Sequence, residues 1–222
     1  MDTVALRVSL TLALATVVVL LPLGIWVGHV LAVRSFRGKA LVEALVAVPL
    51  ILPPTVLGFY LLTVFGARSP LGQFFEGIFG QPLAFSFAGL LVASVIVNIP
   101  FVVQPIQRAF QAVPNQLRDA AACCGLTPWQ RFRRIDLPLA WPGVVTAAIL
   151  VFAHTLGEFG VVLMVGGSIP GETRTLSIAI YDRVQAFDYG AAGVMSAVLL
   201  TIAVVVLGLT AWLGRPWEQR RG

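Results

Sequence analysis

Residues 8–33, 82–107, 137–157 and 189–214 each pass without an Asp, Glu, Lys or Arg, and residues 40–66 are interrupted only by Glu43. A helix needs roughly 20 apolar residues to cross about 30 Å of hydrocarbon, and every one of these runs is that long. Backbone amides in lipid find no water, so each segment must satisfy its own hydrogen bonds as α-helix. A β-barrel would need short segments of alternating polarity, and none is present. Composition agrees: 11% of the residues are charged and 58% hydrophobic, whereas a soluble domain carries about 25% charged residues. The chain reads as an all-α integral membrane protein, one transmembrane domain over 1–222 with spans at about 8–33, 40–66, 84–110, 139–165 and 190–214. The first run is too long for a signal-peptide core and lacks an Ala-x-Ala-like cleavage site, so a retained helix is expected.

Charge sets the expected orientation. Arg34, Arg37 and Lys39 follow the first span, and Arg108, Arg118, Arg131, Arg133 and Arg134 lie between the third and fourth. Arg215, Arg220 and Arg221 follow the last. The other side holds only Arg7, Arg68, Arg174 and Arg183. The positive-inside rule then puts the N-terminus outside and the C-terminus in the cytoplasm. These cations are spread along membrane boundaries rather than gathered on one face, which argues against a nucleic-acid partner. Cys123 and Cys124 fall in the reducing cytoplasmic loop with no His to complete a metal set, and read as small packing residues.

Pro22, Pro49, Pro53, Pro54, Pro100 and Pro105 fall inside spans. Proline removes a backbone donor and kinks a helix, so the Pro49, Pro53, Pro54 cluster predicts a bent helix lining a path. Residues 67–83 are rich in Gly, Ser and Pro and read as an outward loop. In the longer outward connection, 166–189, Leu176, Ile178, Ile180, Tyr181 and Val184 predict a short amphipathic helix. If 175–187 dips into the membrane, the count of membrane helices becomes six.

The segment 111–138 is the one long charged interruption. Leu117, Ala120, Ala121 and Cys124 recur at helical spacing as a face of mostly small residues. Gly125 stands where a left-handed C-terminal cap is wanted. Thr127-Pro128 predicts an N-cap followed by proline in the first turn, opening a second short helix that Pro138 ends. Two short helices joined at a glycine form a knob suited to docking. No Gly-x-x-x-x-Gly-Lys-[Ser/Thr] phosphate loop exists in the chain, and no paired Asp, His-x-x-x-His or Ser/His set lies within the spans. No catalytic residue is therefore expected.

Asp119-Ala120-Ala121, three residues, Gly125, nine residues, then Ile135-x-Leu137-Pro138 resembles the Glu-Ala-Ala loop of permease subunits of ABC importers, with Asp in place of Glu. The resemblance implies the type I ABC importer permease fold, with the first short helix as a coupling helix in a groove of an ATP-hydrolysing subunit. Leu117, Arg118, Asp119, Ala120, Ala121, Gly125, Leu137 and Pro138 become the expected coupling residues, with Arg118 offering a salt bridge to that partner. The likeness extends over nearly the whole chain. The run Val48 to Leu62, Pro100-Phe101 with Gln104 to Gln107, Leu156-Gly157-Glu158-Phe159-Gly160 and Ile169 to Leu176 look like molybdate permeases. Sulfate permeases share the Gly157-Glu158 segment, and sulfate or tungstate is the near alternative. The resemblance implies a homodimer in the cell inner membrane with an ABC ATPase, which holds the ATP and Mg, and an extracytoplasmic molybdate-binding protein. The chain itself would bind no cofactor. An ATP-independent channel or secondary transporter, the rival class, would need no docking knob.

Glu158 is the carboxylate that the fourth span places in the membrane, and intramembrane charge marks function unless partnered. It would repel a dianion, so gating or structure, paired with His154, is the expected role. Pro53, Pro54, Thr55, Gly157, Glu158 and Gly160 are the pathway or gating candidates, the two glycines as close-packing or hinge positions. A transient dianion path suits hydroxyls, amides and helix N-termini, which Thr55, Ser86, Ser94, Asn98, Gln104, Thr146 and Thr155 offer. Glu172 and Arg174 are candidates for touching the binding protein or for holding their loop. His29 and His154, isolated from Cys or Asp partners, read as packing or hydrogen-bonding residues, Trp26 and Trp212 as interfacial anchors, and Trp129 as an aid in seating the loop.

Overall fold

The computed structural model describes residues 1–218, with side-chain environments through residue 208. Arg220 and Arg221 lie outside the described residues, and the side chains of Trp212 and Arg215 lie outside those described. Helix α1 is Thr3–Val33, opened by Asp2, whose carboxylate accepts the Ala5 N–H at 2.9 Å. Then come α2 (Lys39–Ile51), α3 (Pro54–Phe65), α4 (Pro70–Phe79) and α5 (Phe87–Gln111). Helix α6 is Asn115–Cys123 and α7 is Pro128–Arg131; a π-helical turn over Phe132–Asp136 leads into α8, Leu137–Gly157. The chain ends with α9 (Gly160–Gly166), α10 (Leu176–Gln185) and α11 (Tyr189–Glu218).

Helices α1, α5 and α8 form the trunk around Leu20, Val102, Ile106, Phe110, Val144 and Val151, all nearly inaccessible. Lipid tails are as apolar as these side chains, so close packing rather than the hydrophobic effect must hold such helices together. Gly24 and Gly28 supply it, one turn apart on α1. A Cβ at Gly24 would lie 2.5 Å from Val102 Cγ2, and one at Gly28 would lie 2.8 Å from Ile106 Cγ2. The backbones of α1 and α5 meet because neither glycine has a side chain.

Among the described residues, four helical stretches are long and apolar enough to cross a membrane, and α2 with α3 makes a fifth, bent by 107°. The bend falls at Leu52-Pro53, as the proline cluster predicts, and Pro54 starts α3 where its missing N–H costs nothing. At ten residues α10 covers about 15 Å, half the hydrocarbon thickness, and is too short to be a sixth span.

Three boundaries differ from the sequence reading. The fourth span is not one helix over 139–165: α8 stops at Gly157, Glu158 is extended (φ −67°, ψ 131°), and α9 begins at Gly160. Residues 67–83 are not all loop, since α4 forms there. The Ser69 hydroxyl caps it by accepting the Gly72 N–H at 2.8 Å, and Gly80 closes it in the left-handed region (φ 69°). Finally, Pro138 ends nothing. The π turn over Phe132–Asp136 precedes it, and that wider turn accommodates a ring that would otherwise crowd the preceding turn. The second helix of the knob is thus an N-terminal extension of α8.

Candidate functional site

Helix α6 projects from the trunk as the sequence pattern requires. Gly125 (φ 76°) permits a Schellman closure, in which its N–H bonds Ala122 O at 3.0 Å and the Leu126 N–H bonds Ala121 O at 3.1 Å. A reciprocal capping box follows: Thr127 Oγ1 accepts the Gln130 N–H at 3.3 Å and Gln130 Oε1 accepts the Thr127 N–H at 2.9 Å. Leu117, Asp119, Ala120, Cys124 and Gly125 are exposed. The anticipated face is split, however, because Ala121 is buried against the protein's own interior.

Arg118 also points inward, contrary to the role as an external salt-bridge donor anticipated for it. Its Nε donates to Asp136 Oδ1 at 2.7 Å, its Nη2 to Phe110 O at 2.8 Å and its Nη1 to Asn115 Oδ1 at 3.3 Å. Asp136 is completely inaccessible and gathers two further groups, His29 Nε2 at 3.3 Å and Arg131 Nε at 3.9 Å. A buried carboxylate is tolerable only when paired and hydrogen-bonded; here it joins α6, α1 and the start of α8. His29 packs edge-on against Phe110 and Phe132, with ring centroids 4.9 and 4.8 Å away. Sequence reasoning missed Asp136, which occupies the variable position of Ile135-x-Leu137-Pro138, and treated His29 as isolated. Its partner is 107 residues away. The available signal was a lone carboxylate closely following three arginines at a membrane boundary. Leu137 packs towards the trunk, and Pro138 is exposed.

A second polar assembly lies at the broken helices. Glu158 is buried, and its Oε1 accepts the Val161 N–H at 3.0 Å, so the carboxylate caps α9. His154 Nε2 lies 3.8 Å from Glu158 Oε2, while its Nδ1 lies 3.2 Å from Asn98 Oδ1. Asn98 Nδ2 donates to Ser94 O at 2.8 Å and Thr155 Oγ1 at 3.1 Å, and Thr16 Oγ1 sits 2.9 Å from Ser94 Oγ. Phe101 stacks on His154 with centroids 4.0 Å apart. Irregular backbone at membrane depth survives only where protein or a cavity satisfies it, and the Glu158 carboxylate does so here. Because that carboxylate already occupies the electropositive end of α9, a dianion would be repelled there. The two breaks meet: a Cβ at Gly160 would lie 2.8 Å from Pro54 Cβ. Gly157 is exposed with nothing within 4 Å of a Cβ, so of these two glycines Gly160 is the close-packing one.

The proposed path-lining groups divide on inspection. Ser94, Asn98 and Thr155 bond one another, Ser86 caps α5 through the Gly89 N–H at 3.1 Å, and Thr146 donates to Pro142 O at 2.9 Å. Thr55, in the first turn of α3, is exposed together with Pro53 and Pro54, and no side chain caps that helix. Gln104 lines a cleft with Glu43 and Gln107, which are joined by a 2.7 Å hydrogen bond.

In the connection between α9 and α10, Arg174 is committed to its loop, donating to Ser168 Oγ at 2.9 Å and lying 3.5 Å from Asp182 Oδ2. Glu172 is exposed, with no ion pair among the described residues. Among the described residues no three His, Cys, Asp or Glu side chains gather as a metal site.

Residues 20–218 match the family model of the binding-protein-dependent transport system inner membrane component. A molybdenum transport system permease protein of Azotobacter vinelandii is 47% identical over 206 residues, 93% of this chain and 91% of its own length. Its counterpart in Escherichia coli K12 is 36% identical over 220 residues, covering 98% and 96%. A crystallised bacterial ABC transporter involved in import of the acidic polysaccharide alginate superposes with a TM-score of 0.78 at 17% identity, covering 96% of this chain and 79% of that one.

Proposed function

The chain belongs to the binding-protein-dependent transport system inner membrane component family, and from that premise we propose that it is the membrane-spanning subunit of an ATP-driven importer of molybdate. The 47% identity to a molybdenum permease over 93% of the chain carries the substrate assignment. The fold is that of a type I ABC importer permease, and the chain is a multi-pass inner-membrane transport subunit.

The exposed face of α6, with Leu117, Asp119, Ala120 and Gly125, seats a partner ATPase that carries ATP and Mg. The end bearing α6 faces the cytoplasm, the N-terminus lies outside, and two copies of the chain enclose the path. Glu172, exposed on the outward loop, meets an extracytoplasmic molybdate-binding protein, while Arg174 keeps that loop in shape. Closure of the ATPase pair around ATP draws the two α6 helices together. Arg118 and Asp136 pass this displacement to α1 and α8, since a buried pair resists separation more than an exposed one. The junction of Pro53, Pro54 and Thr55 with Glu158 and Gly160 is where broken helices give way, and hydroxyls and free N–H groups handle the oxyanion in passing. This chain performs no covalent chemistry.

The test is Ala120→Glu, which adds a long charged side chain on an exposed position and meets nothing internal. The variant should insert and melt like the wild type, yet lose ATPase co-purification and uptake of radiolabelled molybdate. Undiminished uptake would overturn the coupling role. Calorimetry of the cognate binding protein should rank molybdate above sulfate, and the reverse order would move the substrate assignment to sulfate.

A further inference from the structure

An elongated groove of about 630 Å³ runs between the second half of α1 and the start of the α7–α8 segment. Its walls include Ile25, Trp26, Val30 and Trp129, and its far end carries Arg34 and Arg131. From Pro22 to Arg34 the α1 wall extends about 18 Å at 1.5 Å per residue, comparable with half of the roughly 30 Å hydrocarbon thickness. The groove is thus apolar for one leaflet's depth and cationic where that leaflet meets water.

We propose that this groove holds one anionic phospholipid, its headgroup phosphate at Arg34 and Arg131 and an acyl chain along Ile25, Trp26 and Val30. Charge complementarity selects an acidic headgroup. Arg34 has no ion pair among the described residues. Arg131 Nε is buried without a hydrogen-bond partner, 3.9 Å from Asp136 Oδ2. Trp129, beside Arg131, is 67% exposed, where an amphipathic indole sits in the headgroup region of a bilayer; Trp26, equally exposed, lies about 12 Å further down α1 against the acyl chain. The proposed ATPase seat on α6 contributes no residue to the groove. The leaflet assignment rests on the proposed orientation, which places this end in the cytoplasmic leaflet, the one that carries acidic lipids. A lipid phosphate here would sit beside the cluster that seats α6, giving lipid charge a route to the coupling helix.

The test is native mass spectrometry of the full-length chain, stripped of lipid in detergent and titrated with phosphatidylglycerol or with phosphatidylcholine of the same acyl chains. One phosphatidylglycerol should be retained in preference. Arg34→Gln, exposed and outside the Asp136 cluster, should weaken its retention by about fivefold. Trp26→Ala should weaken both lipids, and Arg108→Gln, a cation on the same side but outside the groove, should change neither. Equal retention of the two lipids, an Arg34→Gln chain that binds like the wild type, or an equal loss in Arg108→Gln would overturn the proposal. Phosphatidylglycerol bound by the monomer but shed from the dimer would give the groove to a second copy and overturn it too. Retention needs neither ATPase nor transport, so failure here would leave the importer reading standing, and failed uptake would leave the lipid site standing.

Discussion

Asp136→Asn tests whether α6 is seated by its buried charge cluster. The substitution preserves shape and one oxygen that Arg118 Nε can still reach, but it removes the negative charge that compensates an arginine only 8% exposed. Breaking a buried pair by removing one partner costs about 3–5 kcal/mol, and the retained oxygen places Asp136→Asn at about 3. For a chain of this length that corresponds to an apparent Tm lower by ~6–12 °C. The loss should be local. Amides of Asn115–Cys123 should exchange faster with deuterium, because the side-chain bonds that tie α6 to the trunk run from Arg118 to Asp136 and to Phe110 O. Amides of Phe87–Gln111 should stay protected. Arg118→Met combined with Asp136→Leu, which removes both charges, should cost less than Asp136→Asn alone. If Asp136→Asn melts like the wild type with unchanged α6 exchange, the cluster does not hold the coupling helix and its role as a transmission strut fails.

Two further outcomes follow from the packing. Gly24→Leu drives a side chain into Val102, where even a Cβ would lie at 2.5 Å; overpacking of this kind costs about 1–3 kcal/mol or more. The yield of folded protein in detergent-resolved gel filtration should fall, and normal yield would deny that α1 and α5 meet at that glycine. Glu158→Ala strips the cap from the Val161 N–H at a cost of about 0.5–2 kcal/mol. Molybdate uptake should drop while the ATPase still co-purifies, and normal uptake would show that the carboxylate is dispensable at the break.

What could be read from sequence was whatever depends on near neighbours. The proline cluster located the 107° bend, and Gly125 and Thr127-Pro128 located the Schellman closure and capping box, because each involves residues within five positions. Ser69-Pro70 carries the same N-cap and proline signal as Thr127-Pro128, yet the surrounding glycines led to a loop reading and α4 was missed. The fourth span was drawn through Glu158 because hydropathy cannot distinguish a carboxylate inside a helix from one that interrupts and caps it. Arg118 was misplaced for a related reason. A charged residue on a polar helix looks solvated until its partner is known, and Asp136 is 18 positions away while His29 is 107 from Asp136. Pairings between spans leave no periodic trace, so the clusters that hold this site together are those a single sequence conceals.

The distribution of burial separates what stays fixed from what moves. Helices α1 and α5 bury side chains along their lengths, whereas α2 buries none and exposes Leu41, Leu45, Val48 and Ile51. The ties from α2 to the trunk are few; the most polar runs from Glu43 to Gln107, with Lys39 3.9 Å from the same carboxylate oxygen. An apolar helix so lightly held can change its tilt at little internal cost, and the hinge at Leu52-Pro53 is where that tilt would be absorbed. In the proposed dimer a second copy covers this face, so the contacts that shift during transport lie between copies rather than inside one. The charge cluster under α6 belongs to the opposite category: Asp136 is fully buried, and Arg118, Arg131 and His29 hold it from three elements. In the proposed mechanism, displacement entering at α6 would move the trunk as a unit and be spent at the seams, where α2 meets α3 and α8 meets α9.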